Sequence, residues 1–206
     1  MTIGVVDYGA GNLRNVQAAL TGLGVPWRSV ARPEDLPGLE GLILPGVGRF
    51  GAAANRLAET GLAAPIREQA LAGRPLLGIC LGMQLLFEGS EEDGEGGLGL
   101  LPGRVGRLPA ARLPHIGWAV VRPRDPEAAG GLFRGLPAAF HAYFAHSYAV
   151  PAGHPAAEAL TSCPPAFTSA VAGGGAGRRF VLGVQFHPEK SGADGRRILA
   201  NFAALV

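Results

Sequence analysis

A short apolar run behind a proline, Arg74-Pro75-Leu76-Leu77-Gly78-Ile79, gives way at Cys80 to Leu81-Gly82 and then to apolar residues at helical spacing as far as Phe87. A strand that turns this abruptly into a helix needs small residues on either side of the turning point, and Gly78 and Gly82 supply them. The pattern is G-x-C-x-G, a nucleophile elbow with sulfur where serine oxygen is more usual. The first N–H groups of the helix point at whatever the thiol attacks and can receive a developing oxyanion. A structural thiol packed in an ordinary strand-to-helix turn satisfies the same five residues.

A cysteine nucleophile needs a base, and the base needs a partner that orients it. Phe186-His187-Pro188-Glu189 offers both at the end of a β-branched and aromatic run, Phe180 to Phe186, where Pro188 restricts the backbone between two polar side chains. Taken singly, a histidine is often packed and a glutamate is usually solvated. Cys80, His187 and Glu189, each at the end of a predicted strand, form a candidate catalytic set.

Strands and helices alternate through the first half: strands at Ile3 to Asp7, Trp27 to Val30 and Gly41 to Leu44, helices at Leu13 to Leu23 and within Ala52 to Ala72, then the Cys80 strand and a helix from Leu81 to Phe87. This alternation predicts an α/β fold with a largely parallel central sheet flanked by helices. The second half is richer in short extended runs, such as Trp118 to Val121, Phe140 to His146 and Ala166 to Val171, which add an antiparallel portion before a final helix from Gly195 to Leu205. In such sheets functional groups gather beyond the carboxyl ends of the strands, where Cys80 and His187 both fall.

At 206 residues with no dividing linker, residues 1–206 are expected to form a single domain. A formal net charge of +2 without a basic stripe interleaved with aromatics points away from nucleic acid. Of the 18 basic residues only Lys190 is lysine, and it directly follows Glu189. Two cysteines are too few for a disulfide scaffold; Cys163 reads as a passive loop residue, and a working thiol at Cys80 favours a reducing, cytoplasmic setting. The N-terminus lacks the layout of a signal peptide, and no apolar run reaches membrane-spanning length. Gly9-Ala10-Gly11 imitates a dinucleotide-binding turn, but Arg14 stands at the third glycine position. The five histidines lack metal-ligand spacing, so neither metal nor cofactor is expected.

The triad-like set resembles the class I (triad) glutamine amidotransferases, which carry a cysteine at a G-x-C-x-G elbow and a downstream His-x-Glu. Asp7-Tyr8-Gly9-Ala10-Gly11-Asn12-Leu13, Pro45-Gly46-Val47-Gly48, Pro114-His115-Ile116-Gly117-Trp118, Tyr143-Phe144-Ala145-His146-Ser147-Tyr148 and Gly183 to Ser191 are similar, in that order, to the glutaminase subunits of imidazole glycerol phosphate synthase. The resemblance implies a flavodoxin-like amidotransferase fold and glutamine hydrolysis through a γ-glutamyl thioester on Cys80. His187 would be the base and Glu189 its orienting partner. Leu81, Val47 and Gly48 would form the oxyanion hole, with the Val47 N–H part of a ligand-controlled flip. Gln84 and Glu92 would hold the α-amino and neighbouring polar groups of glutamine, and the backbone around Ser147 and Tyr148 its α-carboxylate. The implied partner is a (β/α)8-barrel cyclase subunit, forming a heterodimer that makes imidazole glycerol phosphate and 5-aminoimidazole-4-carboxamide ribonucleotide. Asn12, Trp118, Tyr143 and Lys190 match positions that face it. Ala119 departs from the asparagine usual there, which implies looser coupling. A glutaminase subunit for pyridoxal phosphate or purine synthesis, or a non-catalytic flavodoxin-like redox sensor, are the alternatives; the latter has no use for His187-Pro188-Glu189.

Overall fold

The computed structural model describes residues 1–9, 12–94, 96–125, 131–162, 165–173 and 180–206. Ala10 and Gly11 of the N-terminal turn, and Cys163, lie outside the described residues. The first half runs β1 (Ile3–Val6), α1 (Leu13–Gly22), β2 (Trp27–Val30), β3 (Gly41–Gly46), α2 (Phe50–Glu59), α3 (Ala63–Leu71) and β4 (Leu76–Cys80). Every residue of β1, β3 and β4 is buried, as continuous apolar runs require when helices cover both faces of a parallel sheet.

Side chains alternate between those faces. Ile3, Val5, Ile43, Leu77 and Ile79 join α1 and the C-terminal helix α5 (Gly192–Leu205) in one apolar cluster. Val6, Leu42, Leu44 and Leu76 join α2 and α3 in another. The α2–α3 break falls at Gly61, which has a positive φ of 72°.

After β4 come α4 (Leu81–Gln84), β5 (Phe87–Ser90), β6 (Leu101–Arg107), β7 (His115–Pro123), β8 (Phe140–His146), β9 (Tyr148–Pro151), β10 (Ala157–Thr161), β11 (Phe167–Gly173) and β12 (Val181–Val184). Among the described residues the main sheet has the order β2-β1-β3-β4-β12-β11-β10-β7-β8, while β5, β6 and β9 branch from it through β11. β2, β1, β3, β4 and β12 are mutually parallel, and β12, β11, β10, β7 and β8 pair antiparallel. This is the α/β architecture expected from the sequence.

One element differs. The helix expected over Leu81 to Phe87 stops at Gln84, and Phe87 opens β5. All seven residues are buried, so the apolar periodicity there carries no helix-specific information. The chain beyond Gln84 finds its backbone partners elsewhere: Leu98 N donates to Leu85 O, and both Leu100 N and Leu101 N donate to Leu86 O.

The elbow depends on absent side chains. A Cβ on Gly82 would lie 1.8 Å from the Leu44 carbonyl oxygen, and one on Gly78 would lie 2.6 Å from the Gly82 carbonyl oxygen. The obstacles are backbone atoms of β3 and α4, which cannot rotate away. Gly82→Ala is therefore expected to destabilise the chain by about 3 kcal/mol or more, lowering its melting temperature by roughly 6–12 °C in a thermal denaturation scan.

Candidate active site

Parallel pairing sets the site at one level of the sheet. Gly46 of β3 is in register with Cys80 of β4, and Val184 of β12 with Ile79, so the Pro45 to Gly48 loop, Cys80 and the segment leading to His187 emerge side by side. Cys80 has φ 54° and ψ −110°, the only positive φ on a non-glycine residue among those described. Such a backbone costs on the order of 1–3 kcal/mol and persists only where its surroundings enforce it.

His187 Nδ1 lies 2.8 Å from Glu189 Oε1, with both side chains almost wholly buried. An ionised carboxylate only accepts, so Nδ1 carries the proton and Nε2 is left for the sulfur. Burial opposes protonation of His187, but it is outweighed by hydrogen bonds to Cys80 and Glu189 and by their charges, which raise the imidazole to about 9. The turn carrying the pair is fastened to β8: His187 N donates to Tyr143 O at 2.9 Å, Tyr143 N donates to Ser191 Oγ at 3.0 Å, and Ser191 Oγ donates to His187 O at 2.6 Å.

A cavity of about 280 Å³ opens over Cys80 and His187. That is at the small end of ligand clefts, roughly 300–1,000 Å³, and suits an amino acid. Val47, Gly48, Leu81, Gln84, Glu92, Ser147 and Tyr148 all line it, so the structure brings together every residue expected at the oxyanion and substrate positions. Glu189 lies behind His187, outside the lining.

Two of these side chains are partly committed within the protein. Gln84 Nε2 donates to Tyr148 O and to Gln185 Oε1, each at 3.0 Å. Both amide hydrogens are thus used, and only the Gln84 oxygen is left for a donor in the cavity, such as an α-amino group. One oxygen of Glu92 accepts from Phe50 N at 2.8 Å, and Asp93 accepts from Gly51 N at 2.9 Å; together they cap α2 just beyond the Pro45 to Gly48 loop. At the loop's other end, Tyr8 OH donates to Pro45 O at 3.1 Å. Burial, reinforced by Cys80, pushes the Tyr8 phenol up, so it remains a donor.

Four participants were not singled out from the sequence: Tyr8, His146, Gln185 and Ser191. His146 lines the cavity; burial, with lesser repulsion from His115 and His187, lowers it to about 4. It is therefore neutral, and its Nδ1 donates to Tyr148 O at 2.9 Å. Gln185 left one signal in the sequence, as the single polar side chain in the run Phe180 to Phe186.

The positions expected to face a partner form a surface strip. Trp118 and Ile116 are 58% and 62% exposed on β7, which excludes a core role for Trp118. Tyr143 pairs with Trp118 across β7 and β8, with ring centroids 6.2 Å apart, and its ring lies 6.4 Å from His187. Lys190 Nζ stands 5.5 Å from the Tyr143 ring centroid and borders the cavity. Asn12 is half-buried ahead of α1, which packs beside the Pro188–Lys190 turn. Ala119 packs against the apolar core.

A strained elbow cysteine, a His-x-Glu pair at the neighbouring strand end and an amino-acid-sized cavity define a class, and the chain belongs to it: a family model described as glutamine amidotransferase class-I matches residues 4–206. Within that family it is similar to the imidazole glycerol phosphate synthase subunit HisH of Symbiobacterium thermophilum, at 49% identity covering 98% of this chain and 93% of that one. The subunit HisH of Moorella thermoacetica is 47% identical, covering 99% and 95%. Among solved structures, a glutamine amidotransferase crystal structure superposes with a TM-score of 0.76 at 25% identity, covering 98% and 97%. PurLQS from Thermotoga maritima gives 0.77 at 20% identity, covering 98% and 96%, and shares the fold.

Because folding favours protonated His187, its contribution to stability is complete below about 6.5 and is lost as the pH rises through about 9. Glu189→Gln removes one of the groups responsible. Ring NMR titration is expected to show a His187 midpoint near 9 in the native chain and a midpoint lower by roughly one unit or more in the variant.

Proposed function

We propose that this chain, acting as one glutaminase domain over residues 1–206, hydrolyses glutamine and delivers ammonia to a barrel-shaped cyclase in histidine biosynthesis. The observation that carries the reading is the alignment of Cys80, His187 and Glu189 at a cavity whose remaining wall offers an acceptor at Gln84. Near-full-length similarity to HisH subunits supports the pathway.

His187, favoured in its protonated form by its surroundings, holds the proton given up by Cys80, and the sulfur attacks the carboxamide carbon of glutamine. The resulting oxyanion is received by the Leu81 N–H at the start of α4 and by the Val47 N–H once the loop presents it. Collapse of this intermediate returns the proton through His187 to the leaving nitrogen, releasing ammonia and leaving a γ-glutamyl thioester. Water, deprotonated by His187, then attacks the thioester and frees glutamate. Glu189 holds the imidazole tautomer through both halves. The substrate α-amino group is held by Gln84 Oε1 and the free oxygen of Glu92, and its α-carboxylate by the backbone at Ser147 and Tyr148.

Ammonia released into water is protonated and loses its nucleophilicity, so the cavity mouth has to be covered by the consumer. The strip of Trp118, Tyr143 and Lys190 beside His187 suits that contact, with Asn12 at its margin; Trp118 is an exposed aromatic of the kind that anchors interfaces. A thiol chemistry of this kind fits a reducing cytoplasm.

Two measurements test the reading. Cys80→Ala is expected to abolish glutamine-dependent synthesis by the two-subunit complex while ammonia-dependent synthesis continues; loss of both would refute the assignment of roles. Trp118→Ala is expected to weaken association with the cyclase by about 2 kcal/mol, roughly 30-fold in Kd by calorimetry.

A further inference from the structure

We infer that Gln185 is a positioning residue that links the wall of the glutamine site to the attacking sulfur; this rests on Cys80 being the nucleophile, as proposed above. Gln185 is wholly buried, one residue beyond β12. Its Oε1 accepts from Gln84 Nε2 at 3.0 Å, and its Nε2 donates to Cys80 Sγ at 3.7 Å. Its neighbours fix which end of the amide is which. Gln84 Nε2 also donates to the Tyr148 carbonyl, so it is the nitrogen end; Gln185 must meet that donor with its oxygen, which turns its NH2 toward sulfur. The main chain is pinned as well, since Gln185 N donates to Ser169 O on β11 at 2.9 Å.

The result is an unbroken buried chain from Tyr148 through Gln84 and Gln185 to Cys80. An N–H aimed at sulfur favours the thiolate, countering the Ala145 carbonyl oxygen that lies 3.8 Å from Sγ and accepts from the thiol, and holds Sγ in place for attack. The chain also reports occupancy. A substrate donor seated on Gln84 Oε1 polarises that amide, strengthening its donation to Gln185 and, in turn, the donation of Gln185 to sulfur. Side chains at both ends of the chain line the cavity, while Gln185 does not, so its effect on substrate is exerted through Cys80 and Gln84.

The test is the pH profile of Cys80 alkylation by iodoacetamide, together with glutaminase kinetics of the complex with the cyclase and its ligand. Gln185→Met matches the side-chain volume without a donor. It is expected to move the alkylation midpoint up by about one pH unit and to lower kcat roughly 10–100-fold, with KM changed less than about threefold. Gln185→Asn keeps an uncharged amide but is one methylene too short to reach Gln84 and the sulfur together; its midpoint is expected to move in the same direction, and it decides the question if the methionine variant fails to fold. An unshifted midpoint overturns the inference, even where kcat or melting temperature falls, because a merely structural amide gives that result. Failure of the underlying reading looks different: the wild-type complex would show no glutaminase activity, or Cys80→Ala would retain it.

Discussion

Hydrogen bonding between β3, β4 and β12 aligns Gly46 with Cys80 and Val184 with Ile79, so three segments remote in sequence leave the sheet at one level. Each brings a different part of the site: the Pro45 to Gly48 loop, the strained Cys80 and the turn that carries His187. Parallel strands pair in only one sense, and a slip of one residue would turn every side chain to the opposite face. The two apolar layers, built from alternating residues of the same strands, oppose such a slip. The geometry of the site and the packing of the core are thus fixed by the same register.

Within that frame the charged groups are kept few and paired. His187 and Glu189 are almost wholly buried and bonded at 2.8 Å, an arrangement in which removing one partner strands the other in a low-dielectric setting. His146, by contrast, is buried without a carboxylate and stays neutral. Two imidazoles in one neighbourhood consequently hold opposite protonation preferences: one is bonded to a buried carboxylate, and the other holds a backbone carbonyl.

The elbow and the His-x-Glu pair were legible in the sequence because their chemistry demands particular residue types at strand ends, and strand ends are marked by apolar runs and glycines. The alternation of elements carried the sheet's parallel half for the same reason. The end of α4 was not legible: where Leu81 to Phe87 are all buried, no period separates helix from strand, and the outcome rests on backbone bonds to residues 98–101. Gln185 and Tyr8 were hidden by distance. The partner that gives Gln185 its meaning is 101 positions away, and the one that gives Tyr8 its meaning is 37 away. Gln84 was expected at the substrate cavity, which it lines, but its available end became clear only once both its hydrogens were seen to be spoken for.

Gly46 paired with Cys80 at the end of β3, and the Glu92 and Asp93 caps at Phe50 and Gly51, fasten the chain on both sides of a three-residue interval, 47–49. Rearranging that interval leaves both apolar layers untouched, and its conformational cost is bounded by its length: at about 1–2 kcal/mol per residue, the total is on the order of 3–6 kcal/mol. A ligand can shift such an equilibrium only by the difference in its affinity for the two states. Shortness therefore keeps the free-energy difference between two arrangements of this interval within the range that the differential binding of a single small ligand can supply.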